Sequence, residues 1–439
     1  MFSIKKYIKK IVESLPLYFQ KKIYLAWHYF NNPFLAVSLS RSVKTYGLDL
    51  TEEDKKVRVI GFLKIHNEMS FGNLERVLKH LKEICNEIVV CDCESTDGSA
   101  EFAKKYTEHV LYEKNDFQHE MKVKQTMLDY TISLNPDWIF WLDADEVVER
   151  IGEMGGIRKL CVLGDKEKID AFEFPEINLW KDTKHYRDDE FWAKGLFVRL
   201  WKNNGKLKFE TATGLHKQQH PVGLNNIQKS DLSVIHYGFS SPEIIQQKYE
   251  RYKANGQSGF ALERISPSSD KGVVLKELNI DLIPLSALKV VVVALIYRST
   301  GYADFVYKSF LKHSEGAEFL FIANDATPKI KQYLSEKNIP HLIFDNENKE
   351  EYYLNRVYRA WNYGGMNAPG DVIVFVNSDM AFTKGWLTNL LKNITKNRIV
   401  CSRLVESGKL LSGQYAIAKN FGQTYNEFSE TEFTEYAES

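Results

Sequence analysis

Apolar runs that end in acidic turns recur along this chain. Residues 138–142 run directly into Asp143-Ala144-Asp145-Glu146, and residues 372–376 run into Asn377-Ser378-Asp379. An earlier apolar run precedes each of them, at 87–91 before Asp92 and at 319–323 before Asn324-Asp325. Short apolar runs separated by amphipathic segments are typical of buried parallel strands that alternate with helices. The pattern therefore predicts two copies of one α/β plan.

The segments between these runs predict the remaining elements. Leu74, Val77, Leu78, Leu81 and Ile84 recur at helical spacing. The other predicted strands are 57–63, 110–112, 171–174, 196–201, 290–296 and 341–344, and the other predicted helices are 99–106, 120–134, 241–264 and 351–363. The acidic stretch 429–432 is interpreted as unstructured, and the aromatic side chains between 170 and 237 favour an ordinary core over a sugar-binding surface.

These elements predict four regions. Residues 1–54 form a helical lead-in, 55–265 a complete α/β domain, 266–288 a linker, and 289–439 a second domain that is reduced, unless the chain continues past Ser439. Ile4, Tyr7, Ile8 and Ile11 share a helical face among lysines. Residues 1–30 therefore either contact a membrane surface peripherally or pack on the catalytic domain.

Composition narrows the function classes. The chain has 439 residues, 44% of them hydrophobic, and a formal net charge of zero, which argues against nucleic acid as a partner. Its five scattered cysteines predict a reducing compartment and buried thiols. With no secretory signal and no confident membrane span, a cytoplasmic location is expected.

The acidic turns carry the candidate chemistry. Asp143 and Asp145 follow a buried strand, and close like charges are costly unless a cation lies between them. A divalent metal at the carboxyl end of that strand is therefore predicted. An enzymatic function depends on that site, and it requires that these side chains share a cavity and are not paired with lysines in it. His236 either completes the metal site or is a core histidine, and Arg199 either pairs with phosphate or forms a surface salt bridge.

The turn 92–99, followed by Leu142-Asp143-Ala144-Asp145-Glu146, resembles the inverting glycosyltransferases of family 2 with the GT-A fold. The resemblance covers 57–260 well and 289–415 more loosely, and 197–201 with 214–216 resembles a downstream signature of that family. It implies two tandem GT-A domains, the second apparently incomplete. It also implies a nucleotide-sugar donor, most often a UDP-sugar, and Mn²⁺ or Mg²⁺.

The resemblance also implies individual roles. Residues at the donor are His66, Asn67, Glu68, Asp92, which accepts a hydrogen bond from the base, Asp97 and Asp143, with Asp325 in the second domain. Metal ligands are Asp143 and Asp145, with His236, and Asp379 in the second domain. The expected general base departs from the family because Lys217 follows His216. Asp188 is favoured instead, with Asp189, Glu190 and Glu210 as alternatives.

The sequence thus predicts a metal-dependent, inverting glycosyltransferase acting on a polysaccharide, lipid-linked or protein acceptor. A nucleotidyltransferase is one alternative, although residues 64–68 are not the glycine-rich basic loop such enzymes carry. A non-catalytic carbohydrate-binding scaffold is the other.

Overall fold

A computed structural model describes residues 50–438 except 117–119, 190–191, 210–219, 269–271 and 408–412. Residues 1–49 of the predicted lead-in, with the predicted membrane contact, lie outside the described residues, as do Glu190, Glu210, His216 and Lys217. The chain divides into two compact units, Met1–Ala287 and Leu288–Ser439.

The first unit is built on a large mixed sheet in the order β3-β2-β1-β4-β8-β6-β10-β5, with β9 beside β6. The first four strands are parallel, as the alternation of strands and helices predicts. β8 then runs antiparallel to both β4 and β6. The strands are β1 Val59–Ile65, β2 Glu87–Asp92, β3 His109–Tyr112, β4 Trp138–Trp141, β5 Glu146–Val148, β6 Ala171–Asn178, β7 His185–Arg187, β8 Leu196–Lys202, β9 Ile227–Lys229 and β10 Val234–His236.

Helices cover both faces of this sheet because alternate strand residues are apolar on each side. Leu63, Val90 and Phe140 face one core, and Phe62, Cys91 and Ile139 face the other. The helices of the unit are α1 Asn73–Ile84, α2 Ser99–Ala103, α3 Glu120–Ser133, α4 Ile157–Glu167, α5 Pro242–Ala254 and α6 Phe260–Glu263. α2 is shorter than expected, and the predicted helix 241–264 is broken between α5 and α6.

The aromatic-rich region is mainly core. Trp180, Trp192, Trp201 and Phe209 are all buried. Trp180 and Trp192 pack with Phe239 beneath α5, which fixes that helix against the sheet. The preference for a core over an exposed sugar platform is therefore correct for these rings.

Part of the stretch expected as a linker packs on the first unit. β11 (Leu275–Glu277) pairs with β7. Arg150 donates from Nε to the carbonyl of Ile283 over 2.9 Å, and Glu153 accepts from the backbone N–H of Ser286 over 3.0 Å. The boundary between the units thus falls at Ala287, close to the predicted start of the second domain.

The second unit repeats the parallel strand order. Its four-stranded sheet runs β14-β13-β12-β15, the same winding as β3-β2-β1-β4, which is compatible with a tandem form. Its strands are β12 Val290–Ile296, β13 Ala317–Asn324, β14 His341–Phe344, β15 Val372–Asn377, β16 Val405–Glu406 and β17 Ile417–Ala418. Its helices are α7 Thr300–His313, α8 Pro328–Glu336, α9 Tyr353–Asn367, α10 Trp386–Leu391 and α11 Glu430–Glu438.

The expectation of an unstructured acidic end is wrong, because 429–432 lead into α11. Phe433 and Tyr436, three residues apart and so on one helix face, both pack on Phe421. Glu430 accepts from Lys312 Nζ over 2.7 Å. Aromatic packing and this ion pair fix a helix whose composition alone looked unfavourable.

Two further expectations are addressed by the described residues. Cys85, Cys91, Cys93 and Cys161 are buried free thiols, as predicted for strand and core cysteines, and Cys401 is exposed. Within the described ranges, no helix has the length and apolar character needed to cross a bilayer.

Candidate functional site

Asp92 ends β2 with one carboxylate oxygen unpaired. Its side chain is buried, and Oδ2 accepts from the backbone N–H of Ser95 over 3.1 Å. Oδ1 has no hydrogen-bond partner among the described residues. Buried carboxylate oxygens are rarely left without a donor, so an orphan at a strand end is where a ligand N–H is expected.

The segment after β1 is fastened to the turn after β2. Asn67, at a φ of 56°, donates from its backbone N–H to Ser95 Oγ over 2.9 Å and accepts from the Thr96 N–H over 2.8 Å. The ring of His66 hydrogen-bonds through Nδ1 to the carbonyl of Cys93 over 2.6 Å. The structure therefore brings His66, Asn67 and Asp92 to one edge of the sheet, as the sequence predicts.

Asp97 fastens the same loop. One of its oxygens accepts from the Met69 N–H over 2.9 Å, and the other accepts from the Ser99 N–H over 3.0 Å. Burial raises the pKa of Asp97, but these hydrogen bonds outweigh burial and the pKa lies below its usual value. Both oxygens serve the loop, which makes Asp97 an anchor of the backbone in this structure.

Asp143 is paired with an arginine that the sequence suggests for phosphate or the surface. Arg199, on β8, is buried and donates from one guanidinium nitrogen to Asp143 Oδ2 over 2.9 Å and to Glu146. Desolvation raises the pKa of Asp143, but Arg199 outweighs it and the pKa lies below its usual value. Burial raises the pKa of Glu146 well above its usual value. Arg199 and Glu146 are thus buried together, while the Asp143 side chain paired with Arg199 is half exposed.

Asp145 is paired with a lysine. Lys248, on α5, donates from Nζ to Asp145 Oδ2 over 2.8 Å. The same Oδ2 lies 3.3 Å from His236 Nε2. Desolvation raises the pKa of Asp145, but the Lys248 ammonium outweighs it and holds the pKa well below its usual value. Asp145 and His236 therefore converge as predicted, with an ammonium between them.

Strand register explains this convergence. β10 pairs antiparallel with β5, so that His236 lies opposite Glu146, and the backbone N–H of Tyr237 donates to the carbonyl of Asp145 over 2.7 Å. β10 also pairs with β6, which sets His236 beside Asn178. Asn178 Oδ1 hydrogen-bonds His236 Nδ1 over 2.7 Å. The ring is thereby oriented with Nε2 toward Asp145.

These residues do not fit a divalent ion as they are arranged. Asp145 Oδ2 and His236 Nε2 face one another, but the Lys248 ammonium lies against both, and Asp143 Oδ2 is paired with Arg199. No group of three or more potential metal-ligating side chains exists within the part of the chain that the structure describes. The condition set from the sequence, that the paired acids be free of lysines, is not met.

Glu68 lies in the electrostatic field of this cluster. Burial, with a further contribution from Asp145, raises its pKa to about 7, and the charges of Lys248 and Arg251 only partly offset that rise. Its backbone N–H donates to Ser99 Oγ over 2.9 Å. Asp145, in the acidic turn, therefore contributes to the raised pKa of Glu68, in the predicted donor segment 66–68.

The favoured general base lies on another element. Asp188 follows β7 and forms an ion pair with Lys276 of β11, and Asp189 accepts from Arg187 Nε over 2.7 Å. The structure gives neither acid a contact with the acidic turn among the described residues. Asp188 is not brought together with Asp143 and Asp145.

In the second unit, the predicted residues line one cavity. A cavity of about 450 Å³ opens at the carboxyl ends of β12, β13 and β15, and both Asp325 and Asp379 line it. Tyr297, Tyr302 and Tyr353 contribute aromatic walls. The strand ends thus meet where the parallel winding predicts.

Asp325 differs from its counterpart Asp92, because its oxygens are occupied. Oδ1 accepts from the Asn346 N–H over 2.8 Å and from Lys349, and Oδ2 accepts from Asn346 Nδ2 over 2.9 Å and from Arg356 over 3.1 Å. Burial raises the pKa of Asp325, but these partners lower it below its usual value. No oxygen of Asp325 remains for a base N–H.

Sequence reasoning missed Lys248, Asn178 and the ion pair of Arg199. Lys248 lies 103 residues after Asp145 on a helix that looked solvent-facing, so no local pattern identifies it. Asn178 ends an apolar strand, and a buried amide at that position was the one available signal.

Both units are α/β, with aspartates at the carboxyl ends of their parallel strands. Residues 310–435, within the second unit, match the family model described as "Glycosyl transferase family 2". The resemblance to family 2 is therefore confirmed, and the model match falls on the unit for which the sequence suggested the looser resemblance.

Two curated relatives also carry the name of a glycosyltransferase. The "SPbeta prophage-derived glycosyltransferase SunS" of Bacillus subtilis (strain 168) and the "Glycosyltransferase SunS" of Bacillus phage SPbeta are each 27% identical over 192 residues, covering 41% of this chain. The match spans 39% of the length of each relative.

Solved structures give weaker likenesses. TarS of S. aureus is 12% identical, with a TM-score of 0.31, over 47% of this chain and 42% of that chain. Glucosyl-3-phosphoglycerate synthase from Mycobacterium tuberculosis, in complex with Mg²⁺ and uridine-diphosphate, is 16% identical, with a TM-score of 0.24, over 32% of this chain and 51% of that chain.

Proposed function

We propose that this chain transfers a sugar from a nucleoside-diphosphate donor to a glycan, lipid-linked or protein acceptor, with inversion at the sugar. The donor is expected to be a UDP-sugar, and the first unit is the proposed donor site. The observation that carries the proposal is that Oδ1 of Asp92, buried at the end of β2, has no hydrogen-bond partner among the described residues. We expect the imide N–H of a uracil to be its donor.

The surrounding residues support a donor lying along this edge. Residues 66–69 and 95–99 form one hydrogen-bonded loop pair beside Asp92, which preorganises backbone for a nucleoside. Lys248 and Arg251 supply positive charge near the acidic turn, where the diphosphate would follow. Stabilising charge on the departing nucleoside diphosphate is the main catalytic requirement of such a transfer.

The expected metal and the expected general base are treated separately. The sequence predicts Mn²⁺ or Mg²⁺ at Asp143, Asp145 and His236, but the ion pairs of these residues with Arg199 and Lys248 do not fit a divalent ion. The general base stays a proposal, with Asp188 and Glu210 as its candidates.

Product analysis tests the proposal. Full-length protein is incubated with UDP-, GDP- and dTDP-sugars, and release of nucleoside diphosphate is measured with the unaltered chain and with Asp92→Asn. Nucleoside diphosphate release that Asp92→Asn reduces is the expected result. Release of pyrophosphate instead, or no turnover of any donor, would refute it.

A further inference from the structure

The ammonium of Lys248 lies beside Asp145 in the first unit. We propose that Lys248 is the resident cation of the acidic turn in the first unit, so that a donor diphosphate is held there by this ammonium and not by a divalent metal. The inference rests on the proposed function and names how its donor is held.

Two acceptors converge on Lys248 Nζ. Asp145 Oδ2 lies 2.8 Å away and His236 Nε2 lies 3.3 Å away. The tautomer of His236 follows from its other partner. Asn178 donates from Nδ2 to Glu176 Oε2 over 2.7 Å, so its Oδ1 faces His236 Nδ1 as an acceptor. His236 then carries its proton on Nδ1, and Nε2 presents a lone pair to the ammonium.

Gly238 makes room for this arrangement. A Cβ at that position would lie 2.0 Å from Lys248 Nζ, 2.3 Å from His236 Nε2 and 2.5 Å from Asp145 Oδ2. The three groups thus meet over a backbone position where any side chain would collide with all of them. The backbone at Gly238, just after β10, therefore leaves the space that the Lys248 ammonium occupies.

Packing holds the Lys248 side chain beside Asp145 and His236. Its side chain is only 13% exposed, and its ammonium lies 4.7 Å from the ring centre of Phe239, which belongs to the core beneath α5. A lysine ammonium is charged at neutral pH, and the Asp145 carboxylate lies 2.8 Å from it.

The ammonium keeps capacity for a ligand. An ammonium has three N–H bonds, and among the described residues its hydrogen-bonding acceptors are Asp145 and His236. A third N–H is left for a phosphate oxygen. Arg251, three residues later on α5, is close enough to influence the pKa of Lys248 and supplies a second positive charge.

A divalent ion and this lysine exclude one another. Mg²⁺ requires oxygen ligands at about 2.0–2.1 Å, and the ammonium lies against Asp145 Oδ2 and His236 Nε2, the two atoms that converge at this site. A metal must therefore expel a buried, ion-paired lysine before it can bind. Removing the lysine should have the opposite effect and expose Asp145 and His236 to metal.

Metal titration of the full chain tests this exclusion. Mn²⁺ binding is followed by electron paramagnetic resonance for the unaltered chain, Asp145→Asn, Lys248→Met and the double variant Lys248→Met/Asp145→Asn. Lys248→Met is expected to gain one Mn²⁺ site that binds at least about tenfold more tightly than the unaltered chain binds Mn²⁺, and the double variant is expected to lose that site. Lys253→Met, on the exposed part of the same helix, is the matched control and should bind Mn²⁺ as the unaltered chain does.

Nucleotide binding supplies the second measurement. UDP is titrated calorimetrically in the presence of EDTA, where the unaltered chain and Lys253→Met should bind, Lys248→Met should lose at least about tenfold in affinity, and Lys248→Arg should retain most of it. A Mn²⁺ site in the unaltered chain that Asp145→Asn abolishes, or UDP binding that requires Mn²⁺, overturns the inference and leaves the proposed function standing. Absence of UDP binding with and without Mn²⁺ overturns both. Circular dichroism confirms folding, and Lys248→Arg keeps the test decisive if the methionine variant does not fold.

Discussion

Replacing Asp92 with asparagine separates donor recognition from folding in the first unit. The side chain is 3% exposed, and its Oδ1 has no partner within the described ranges, while Oδ2 accepts from Ser95. In Asp92→Asn, the amide oxygen still accepts from the Ser95 N–H, and the amide nitrogen takes the place of the free oxygen. A donor then faces the N–H of the bound base.

The magnitude follows from the hydrogen bond that is lost. Hydrogen bonds to charged groups contribute about 1.5–3 kcal/mol, which corresponds to a loss of roughly 10- to 150-fold in UDP affinity. The free energy of unfolding should change by less than about 1 kcal/mol, because the bond to Ser95 survives and one unsatisfied buried atom replaces another. Calorimetric titration with UDP and urea unfolding measure the two quantities on the same variant.

Asp97→Asn is the matched control for Asp92→Asn. Asp97 accepts from Met69 and Ser99 within the same loop pair, so its loss should lower stability by about 1–2 kcal/mol. A marked loss of stability in Asp92→Asn with unchanged UDP affinity would mean that Asp92 is another turn anchor, and the reasoning about its free oxygen would be refuted.

Three other substitutions test separate features. Folding raises the pKa of Glu68 to about 7, so the folded state holds this proton more tightly, and the stability that it contributes is lost as pH rises from about 4.5 through 7. Glu68→Gln should therefore flatten the decline of the free energy of unfolding between pH 5 and 8, measured by urea unfolding. Equal slopes of that free energy against pH in the variant and the unaltered chain would contradict this. Asp325→Asn should lower the stability of the second unit by about 1–3 kcal/mol because Asp325 is paired with Lys349 and Arg356; limited proteolysis measures it, and unchanged resistance would count against the pairing. Gly238→Ala should weaken UDP binding at least about tenfold by displacing Lys248, and unchanged calorimetric affinity would exclude that role.

The sequence was sufficient for the parallel half of each unit and for the strand-end positions of the acids. Apolar runs and helical stripes encode those elements locally, so β1 to β4 and β12 to β15 appear close to their predicted bounds. α11 was missed because its stability comes from Phe433 and Tyr436 packing on Phe421, a contact that no local pattern reveals.

The candidate site was predictable as a set of positions but not as a set of partners. Asp145 and His236 were expected together, and strand register brings them together. The cations that pair with the acids come from distant elements, Arg199 from β8 and Lys248 from α5. Whether two close carboxylates bind a metal or a lysine depends on these long-range neighbours, and the acidic motif is the same in both cases.

The two units show how one winding supports different chemistry. Each has an aspartate just after its second parallel strand, yet Asp92 keeps an oxygen free while Asp325 is enclosed by Lys349, Arg356 and Asn346. The family model match falls on the second unit, whereas the free carboxylate lies in the first. Family resemblance follows the strand order and its sequence pattern, but ligand recognition depends on which atoms the neighbouring side chains leave unpaired. We therefore expect the first unit, and not the second, to recognise the base of the proposed donor, and the Asp92→Asn titration tests that expectation.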